Sequence, residues 1–181
     1  MKKTDLTGLI VTGFLLLSFL TLSSFAQSAG AGGKAEDEIN EPSRELKVII
    51  EKLKPEGLLS DFGNYLDEAS RQEIVSDLDA FRSNKDVDFA VVVVRSTEGQ
   101  SVDDLSLHLA RKWKVGTAKG GILLLLSVED REWHIQIDRN LEKILTNEQV
   151  KKVGDKMIPA LKKKNYAEAI RRCIQAMTVE L

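Results

Sequence analysis

The side chains best suited to acid-base or nucleophilic chemistry are His108, His134 and the single cysteine, Cys173. A base and a nucleophile act together only within hydrogen-bond reach of each other. His108 falls in an apolar pattern typical of a helix, and His134 falls in an alternating pattern typical of a strand. Cys173 stands between Ile170 and Ile174 at helical spacing, which favours a core position. The sequence therefore indicates structural roles for all three and identifies no catalytic residue.

The motifs of established phosphate chemistry are absent from the sequence. Cys173 is not followed by Arg at the spacing of a phosphatase loop, and no Gly-x-Ser-x-Gly elbow occurs. Asp77 and Asp79 lie within a predicted helix instead of at the end of a strand. The run AGAGGKA has Ala35 where a phosphate-binding loop requires Ser or Thr, and no strand precedes it. We therefore expect no nucleotide cofactor.

Five segments carry apolar residues at helical spacing. The first begins at Ser43, and Pro55 and Gly57 stop it, so residues 43–56 form an accessory helix that packs on the domain. Asp67 and Ser101 are positioned as N-caps of the second and third helices, and Thr146 with Gln149 forms a capping box for the fourth. We expect Pro159 to divide or bend that helix. The helices are predicted over 43–56, 67–81, 101–115, from 146 onward and from 165 onward.

Two nearly continuous apolar runs, 87–95 and 121–127, predict strands buried on both faces. Residues 132–138 alternate apolar and polar side chains, as a half-exposed strand does, and a tight hairpin joins them to the preceding strand. Residues 58–66 are expected to be a loop leading into the second helix. A right-handed helical crossover makes the first two strands parallel. The predicted fold is a three-layer α/β/α sandwich, Rossmann-like, with a small mixed sheet of a parallel pair plus an antiparallel hairpin.

The N-terminus has the pattern of an export signal. Lys2 and Lys3 precede an apolar stretch over 9–20, and Ser24 and Ala26 have the spacing that a signal peptidase recognises. We predict a signal peptide over 1–26, a flexible linker over 27–42 and a periplasmic or secreted protein. The uncharged stretch is also long enough to span a bilayer, so an uncleaved N-terminal anchor remains the alternative.

Composition limits the classes of partner. Without residues 1–26 the chain has 24 Lys and Arg against 27 Asp and Glu, which makes nucleic acid an unsuitable partner. One cysteine cannot form an intramolecular disulfide, so the fold depends on packing.

The order of several short segments over residues 57–181 resembles the TPM domain, which is named after thylakoid-lumen, photosystem-repair and acetylcholine-receptor-modulating proteins. Each segment is a few common residues, and it is their ordered spacing that carries the resemblance. The matching segments are Asp61-Phe62-Gly63-Asn64-Tyr65-Leu66, DFAVVVV, Trp113-Lys114-Val115-Gly116, Gly121-Ile122-Leu123-Leu124-Leu125, Asp130-Arg131, Leu141-Glu142, Met157-Ile158-Pro159-Ala160 and Asn165-Tyr166.

Two departures from that pattern fall at one end of the predicted hairpin. The family commonly has Asp-Asn-Gly before its second strand, where this chain has Lys119-Gly120-Gly121. It commonly has Gly-aromatic-Gly before Leu-Glu, where this chain has Asp138-Arg139-Asn140. Both segments lie at the open end of the hairpin, so we expect them to be neighbours.

The resemblance implies two functions, and the export signal, the flexible linker and the lack of a catalytic triad or a dense metal cluster favour the first. One is a non-catalytic binding or accessory module for membrane-associated protein complexes, with the exposed face of the third predicted strand and Trp133 as the partner-facing surface. The alternative is a phosphatase-like enzyme that uses a divalent metal to act on phosphomonoesters. Because Ca²⁺ and Mg²⁺ need several converging oxygen ligands, the metal candidates are Asp61, Asp138 and Glu142.

Overall fold

The computed structural model describes residues 41–181. The predicted signal peptide and all but the last two residues of the predicted linker lie outside the described residues. None of the helices in the described part is long and apolar enough to cross a membrane.

Four strands form one mixed sheet in the order β1-β2-β3-β4. The first three strands are parallel, and β4 pairs antiparallel with β3. The predicted parallel pair and hairpin are thus confirmed. In chain order the elements are α1 (Arg44–Lys52), β1 (Leu59–Asp61), α2 (Glu68–Lys85), β2 (Asp88–Val94), α3 (Val102–Trp113), β3 (Gly121–Ser127), β4 (Glu132–Ile137), the 3₁₀ turn η1 (Leu141–Lys143), α4 (Asn147–Leu161) and α5 (Tyr166–Glu180).

Two buried apolar clusters, one on each face of the sheet, make the structure a three-layer sandwich. The larger cluster joins α2, α4 and α5 to one face, through residues such as Phe89 and Leu124. The smaller joins α1 and α3 to the other face, through alternate residues such as Val92 and Leu125. Because successive side chains of a strand point to opposite faces, an uninterrupted apolar strand supplies both layers.

Strand β1 corrects the prediction that residues 58–66 are only a loop. Leu59–Asp61 pairs with Val91–Val93 at the edge of the sheet. Three residues are too few to show periodicity, and tertiary pairing with β2 is what makes them a strand.

The two helical crossovers have opposite hand. From β1 to β2 and from β2 to β3 the chain moves in the same direction across the sheet, yet α2 and α3 pack on opposite faces. Crossovers between parallel strands are nearly always right-handed, so only one of these two crossovers can follow that rule. The rule depends on strand twist, and β1 has only three residues to twist. We therefore expect the unit β1-α2-β2 to be the exception.

The predicted N-caps Asp67, Ser101 and Thr146 are present, and Ser43 also caps its helix. Ser43, Asp67, Ser101 and Thr146 each accept a hydrogen bond from a backbone N–H of the following helix, and Thr146 with Gln149 completes the capping box. Pro159 does not divide α4, which was one of its two expected effects. It lies two residues before the helix end at Leu161, so it falls in the last turn of the helix.

Candidate functional site

A groove lies between α3 and β4 on the smaller-core face of the sheet. Helix α3 connects the parallel strands β2 and β3 and therefore runs antiparallel to both. Strand β4 is also antiparallel to β3, so α3 and β4 run in the same direction. His134 and Gln136 pair with Leu125 and Leu123, which belong to that face. The alternation noted in the sequence therefore aligns two polar side chains of β4 along the helix.

The groove consists of two adjoining cavities. The larger is about 620 Å³ and lies beside the C-terminal half of α3, and the smaller is about 190 Å³ and lies beside its N-terminal turn. Leu107, Gln136, Ile137 and Glu142 line both, so the two are one feature, which we call the α3–β4 groove. Its lining combines apolar residues such as Leu107 and Ile137 with charged residues such as Glu142, a composition that suits a ligand with both kinds of surface.

Two of the three predicted metal ligands line this groove. Asp138 follows β4, and its side chain accepts a hydrogen bond of 2.8 Å from the backbone N–H of Asn140. Its carbonyl accepts from the backbone N–H groups of Leu141 and Glu142, which places Glu142 one turn away. Both carboxylates belong to exposed residues and line the larger cavity. The sequence predicted that Asp138 and the start of β3 are neighbours. The hydrogen bond from the Asp138 backbone N–H to the Gly121 carbonyl confirms this.

Asp61 lies at the opposite edge of the sheet. It pairs in register with Val93, whereas Gly121, next to Asp138, pairs with Asp88. Val93 and Asp88 are five residues apart on β2, so Asp61 and Asp138 are separated by roughly 16 Å along the strand direction alone. The Asp61 carboxylate is fully buried and receives bonds from the Arg71 guanidinium (2.9 Å) and from the backbone N–H groups of Leu66 (2.9 Å) and Tyr65 (3.1 Å). Asp61 therefore anchors the segment between β1 and α2.

The three carboxylates thus do not converge on one point. Within residues 41–181 no group of three His, Cys, Asp or Glu side chains is placed to hold a metal ion. The groove wall near Asp138 also includes the cationic residues Lys114 and Arg139. This donor set does not fit a Ca²⁺ or Mg²⁺ site, which needs six or more oxygen ligands around the ion.

His134 contacts the carboxylate of Asp103 and so joins β4 to the first turn of α3. Its Nδ1 lies 2.8 Å from a carboxylate oxygen of Asp103, and the imidazole is nine-tenths buried. Burial lowers the pKa of His134, and the Asp103 carboxylate only partly opposes that effect. A neutral imidazole held by a carboxylate resembles a general base. However, the smaller cavity, as far as the structure describes its lining, has no Ser, Thr or Cys for such a base to activate.

Trp133 is a core residue and not a surface residue. It is 1% exposed, and its ring packs against Gly154 of α4, where an added Cβ would lie 2.0 Å from a ring carbon. His134 and Ile135 are also buried, so the middle of β4 has no exposed face. This corrects the expectation of a partner-facing surface there. A Trp in an alternating strand points to one face, but the sequence did not show that α4 covers that face.

The hairpin residue Asp130 joins the carboxyl ends of β2 and β3. Its carboxylate accepts hydrogen bonds from the hydroxyls of Ser96, Thr97 and Ser127 and from the Thr97 backbone N–H. From the sequence, Asp130 is recognisable only as a turn residue of the hairpin and as part of the family resemblance. The sequence does contain a signal for this cluster, since hydroxyl residues stand at or directly after the ends of two strands that are predicted to be parallel. The carboxyl ends of parallel strands meet at one edge of the sheet.

We predict that Asp130 makes stability depend on acid pH. Burial would raise the pKa of Asp130, but the hydrogen bonds from Ser127, Thr97 and Ser96 outweigh it, so the pKa is lowered. The ionised form is thus favoured by folding, and its contribution is complete above the unfolded-state pKa and lost as the pH falls through the folded-state pKa. Because Asp130 is exposed and water screens these bonds, Asp130→Asn should cost about 1 kcal/mol or less at neutral pH, and less still below about pH 4. Urea unfolding from pH 7 to pH 3 measures this difference, and a constant difference would contradict it.

Comparison with known proteins agrees with this fold. The TPM domain family matches residues 59–180. The solution structure of an N-terminal domain from P. gingivalis is 32% identical, covers 68% of this chain and 81% of its own, and has a TM-score of 0.62. The BA42 protein from Bizionia argentinensis (16% identity, 67% and 84% coverage, TM-score 0.60) and an N-terminal domain from Corynebacterium glutamicum (14%, 70% and 82%, 0.57) share the fold. No curated protein gives a significant match.

The described part of the chain is thus an α/β/α sandwich with a groove at one side of its sheet. The protein belongs to the TPM domain family. This confirms the resemblance that the ordered segments of the sequence indicated.

Proposed function

We propose that this TPM-domain protein is exported and acts as a non-catalytic binding module for membrane-associated or other envelope protein complexes, in their assembly, repair or quality control. The α3–β4 groove is its binding site. The observation that carries the proposal is the groove itself, whose larger cavity of about 620 Å³ is lined by both apolar and charged residues. The charged N-terminus and apolar stretch over 9–20 support export, either with cleavage or with a retained anchor.

The groups near the groove favour binding over reaction. The thiol of Cys173 is buried in the core, and burial raises its pKa, so it is a poor nucleophile. His134 is joined to Asp103 in a cavity whose described lining has no hydroxyl or thiol. Apolar residues beside polar and charged ones are, by contrast, the common composition of a protein-binding surface.

A crosslinking experiment tests the proposed site. A photo-crosslinking residue at Ala110, which lines the groove, should capture the same envelope protein repeatedly, whereas one at Lys163, in the turn after α4, should not. Glu142→Lys reverses a charge shared by both cavities and should reduce that capture and the affinity of the purified pair by about threefold or more. Equal capture from both positions, or an unchanged affinity, would count against the groove.

The alternative is the metal-dependent phosphatase, and a direct assay separates it from the proposal. The purified full chain is incubated with a phosphomonoester, with and without Ca²⁺ or Mg²⁺, beside Asp138→Ala and Glu142→Ala. We expect no turnover above background and no heat of metal binding in calorimetry. Turnover that disappears in both variants would replace the binding proposal with the enzymatic one.

A further inference from the structure

We propose that the outer surface of α4, of α5 and of the turn between them binds an anionic phospholipid membrane. This surface, which we call the α4–α5 face, lies on the side of the sheet opposite to the α3–β4 groove. The inference goes beyond the proposed function, since it assigns a second surface and a second class of partner. A domain that lies on a bilayer through this face keeps the groove open to proteins.

The charge of the chain is divided unevenly between its parts. Residues 147–181, which form α4, α5 and the turn, have eight Lys and Arg against four Asp and Glu. Residues 41–146 have 15 Lys and Arg against 20 Asp and Glu. One layer of an acidic domain is therefore cationic, and such an asymmetry is typical of proteins that bind a membrane or a nucleic acid.

Each acidic side chain of residues 147–181 already has a partner. The pairs are Glu148 with Lys152, Asp155 with Lys151, Glu168 with Arg172 and Glu180 with Gln149. Four exposed lysines have no acidic partner among the residues that the structure describes, namely Lys156, Lys162, Lys163 and Lys164. Their charges are therefore available to an anionic partner.

The helix dipole does not account for these lysines. The C-terminus of α4 has roughly half a negative charge, whereas Lys162, Lys163 and Lys164 supply three positive charges. Helix α5 begins at Tyr166, directly after them, and its N-terminus adds roughly half a positive charge. Lys156 lies more than one turn before the end of α4, where the dipole has little effect. The turn and α4 are thus more cationic than the helices require.

The outer side of each helix has the composition of a surface that lies on a membrane. Lys156 and Lys163 are seven residues apart, which corresponds to two turns, and both are exposed. Arg172 and Val179 have the same spacing on α5, and Val179 is 84% exposed, the largest fraction among the large apolar side chains of the described residues. Cations around an exposed apolar side chain suit the headgroup region of a bilayer.

The cations are spread too widely for a single small anion. Lys152 and Lys163 are eleven residues apart, which is about 16 Å along the axis of α4, so a row of phosphates is needed to meet them. Because the proposed export takes the chain away from nucleic acid, the lipid surface is the partner that fits. Sixteen residues of flexible chain, the length of segment 27–42, span roughly 20–24 Å, so a retained anchor would keep the domain beside the bilayer.

A label that reports contact with lipid headgroups tests the inference on the full chain. A fluorophore is attached through Gln175→Cys on the α4–α5 face, or through Val48→Cys on α1, and the vesicles contain a lipid with a nitroxide quencher on its headgroup. The thiol of Cys173 is buried and does not compete for the label. Because the readout is the face that touches lipid, it holds even where the apolar stretch over 9–20 attaches the chain to every vesicle.

We expect the label on Gln175→Cys to be quenched at least about threefold more on phosphatidylglycerol vesicles than on phosphatidylcholine vesicles, since each lysine near an anionic surface favours contact about fivefold. The label on Val48→Cys should be quenched little on either. About 0.5 M NaCl should remove the excess quenching, because salt screens exposed charges.

A pair of charge reversals tests the lysines themselves. Lys156→Glu with Lys163→Glu should reduce the quenching on anionic vesicles by about threefold or more. Lys52→Glu with Lys54→Glu makes the same change of charge at the exposed end of α1 and should leave the quenching unchanged. Thermal melts show that both double variants are folded.

The inference would be overturned by equal quenching on the two kinds of vesicle, by no quenching of the label on Gln175→Cys, or by equal quenching of the label on Val48→Cys. An unchanged signal in Lys156→Glu with Lys163→Glu, or in high salt, would overturn it as well. Crosslinking from Ala110 does not depend on this face, so the proposed function stands or falls separately.

Discussion

Replacing Asp61 with alanine is expected to lower the free energy of unfolding by about 3–5 kcal/mol. The carboxylate is fully buried, and its removal takes the ion-pair partner from the Arg71 guanidinium, itself largely buried, which keeps only the Asn64 side-chain oxygen and the Asp61 carbonyl as acceptors. The backbone N–H groups of Tyr65 and Leu66 lose their acceptor at the same time. A buried donor without an acceptor costs about 1–3 kcal/mol, so the losses at this site are large even though a single side chain changes.

Urea unfolding of Asp61→Ala and Asp138→Ala measures this difference. Asp138 is the matched control, because its exposed side chain accepts one backbone hydrogen bond, from Asn140. We expect its replacement to cost less than about 1 kcal/mol. Both costs should be the same with EDTA and with millimolar Ca²⁺, since Asp61 acts through protein donors. A loss at Asp61 that appears only when metal is present would show that it is a ligand.

The structural role of Asp61 makes its variants unsuitable for identifying a catalytic residue. A variant of Asp61 would lose any activity through unfolding, whether or not the residue contacts a substrate. Asp138 and Glu142, which are exposed and line the groove, are the variants whose loss of activity would be informative.

Replacing Trp133 with alanine should also cost about 3–5 kcal/mol. The indole is buried between the sheet and α4 and belongs to the larger core cluster, so its removal leaves a cavity that the surrounding helices cannot close. Trp133→Phe should cost less, because it keeps an aromatic ring and removes an indole N–H that has no hydrogen-bond partner in the described structure. Denaturant midpoints of the two variants give the comparison.

Gly154 provides an independent test of this packing. A Cβ at Gly154 would lie 2.0 Å from the ring of Trp133, so Gly154→Ala should cost about 1–3 kcal/mol in the natural protein. In the Trp133→Ala background the same change meets no ring, and the higher helix propensity of Ala should make it neutral or stabilising by up to about 1 kcal/mol. Additive effects in this double-mutant cycle would show that the two residues do not interact.

The local signals in the sequence predicted most of the elements. Hydrophobic periodicity and caps such as Asp67 and Ser101 act within one or two turns, so they indicate helices and strands without knowledge of the fold. The run over 121–127 reads as a strand buried on both faces, and it is buried throughout. The order of these elements, together with the hairpin, then predicted the mixed sheet.

The site was less predictable, because its residues are brought together by packing. Asp61, Asp138 and Glu142 were grouped by type and resemblance, but the register of the sheet puts Asp61 at the other edge. The pairing of His134 with Asp103 joins residues 31 positions apart in the sequence and depends on where α3 lies across the sheet. No local pattern encodes such a distance.

The sequence by itself determined the type of most elements, the parallel and antiparallel pairing of the longer strands and the family resemblance, since these depend on neighbours a few residues apart or on the order of segments. Only the tertiary structure decided that β1 is a strand, that Trp133 is covered by α4, and that the charged residues of α3 and of the segment after β4 face one groove. These features depend on which surfaces meet, and that is settled by the burial of the whole apolar surface at once.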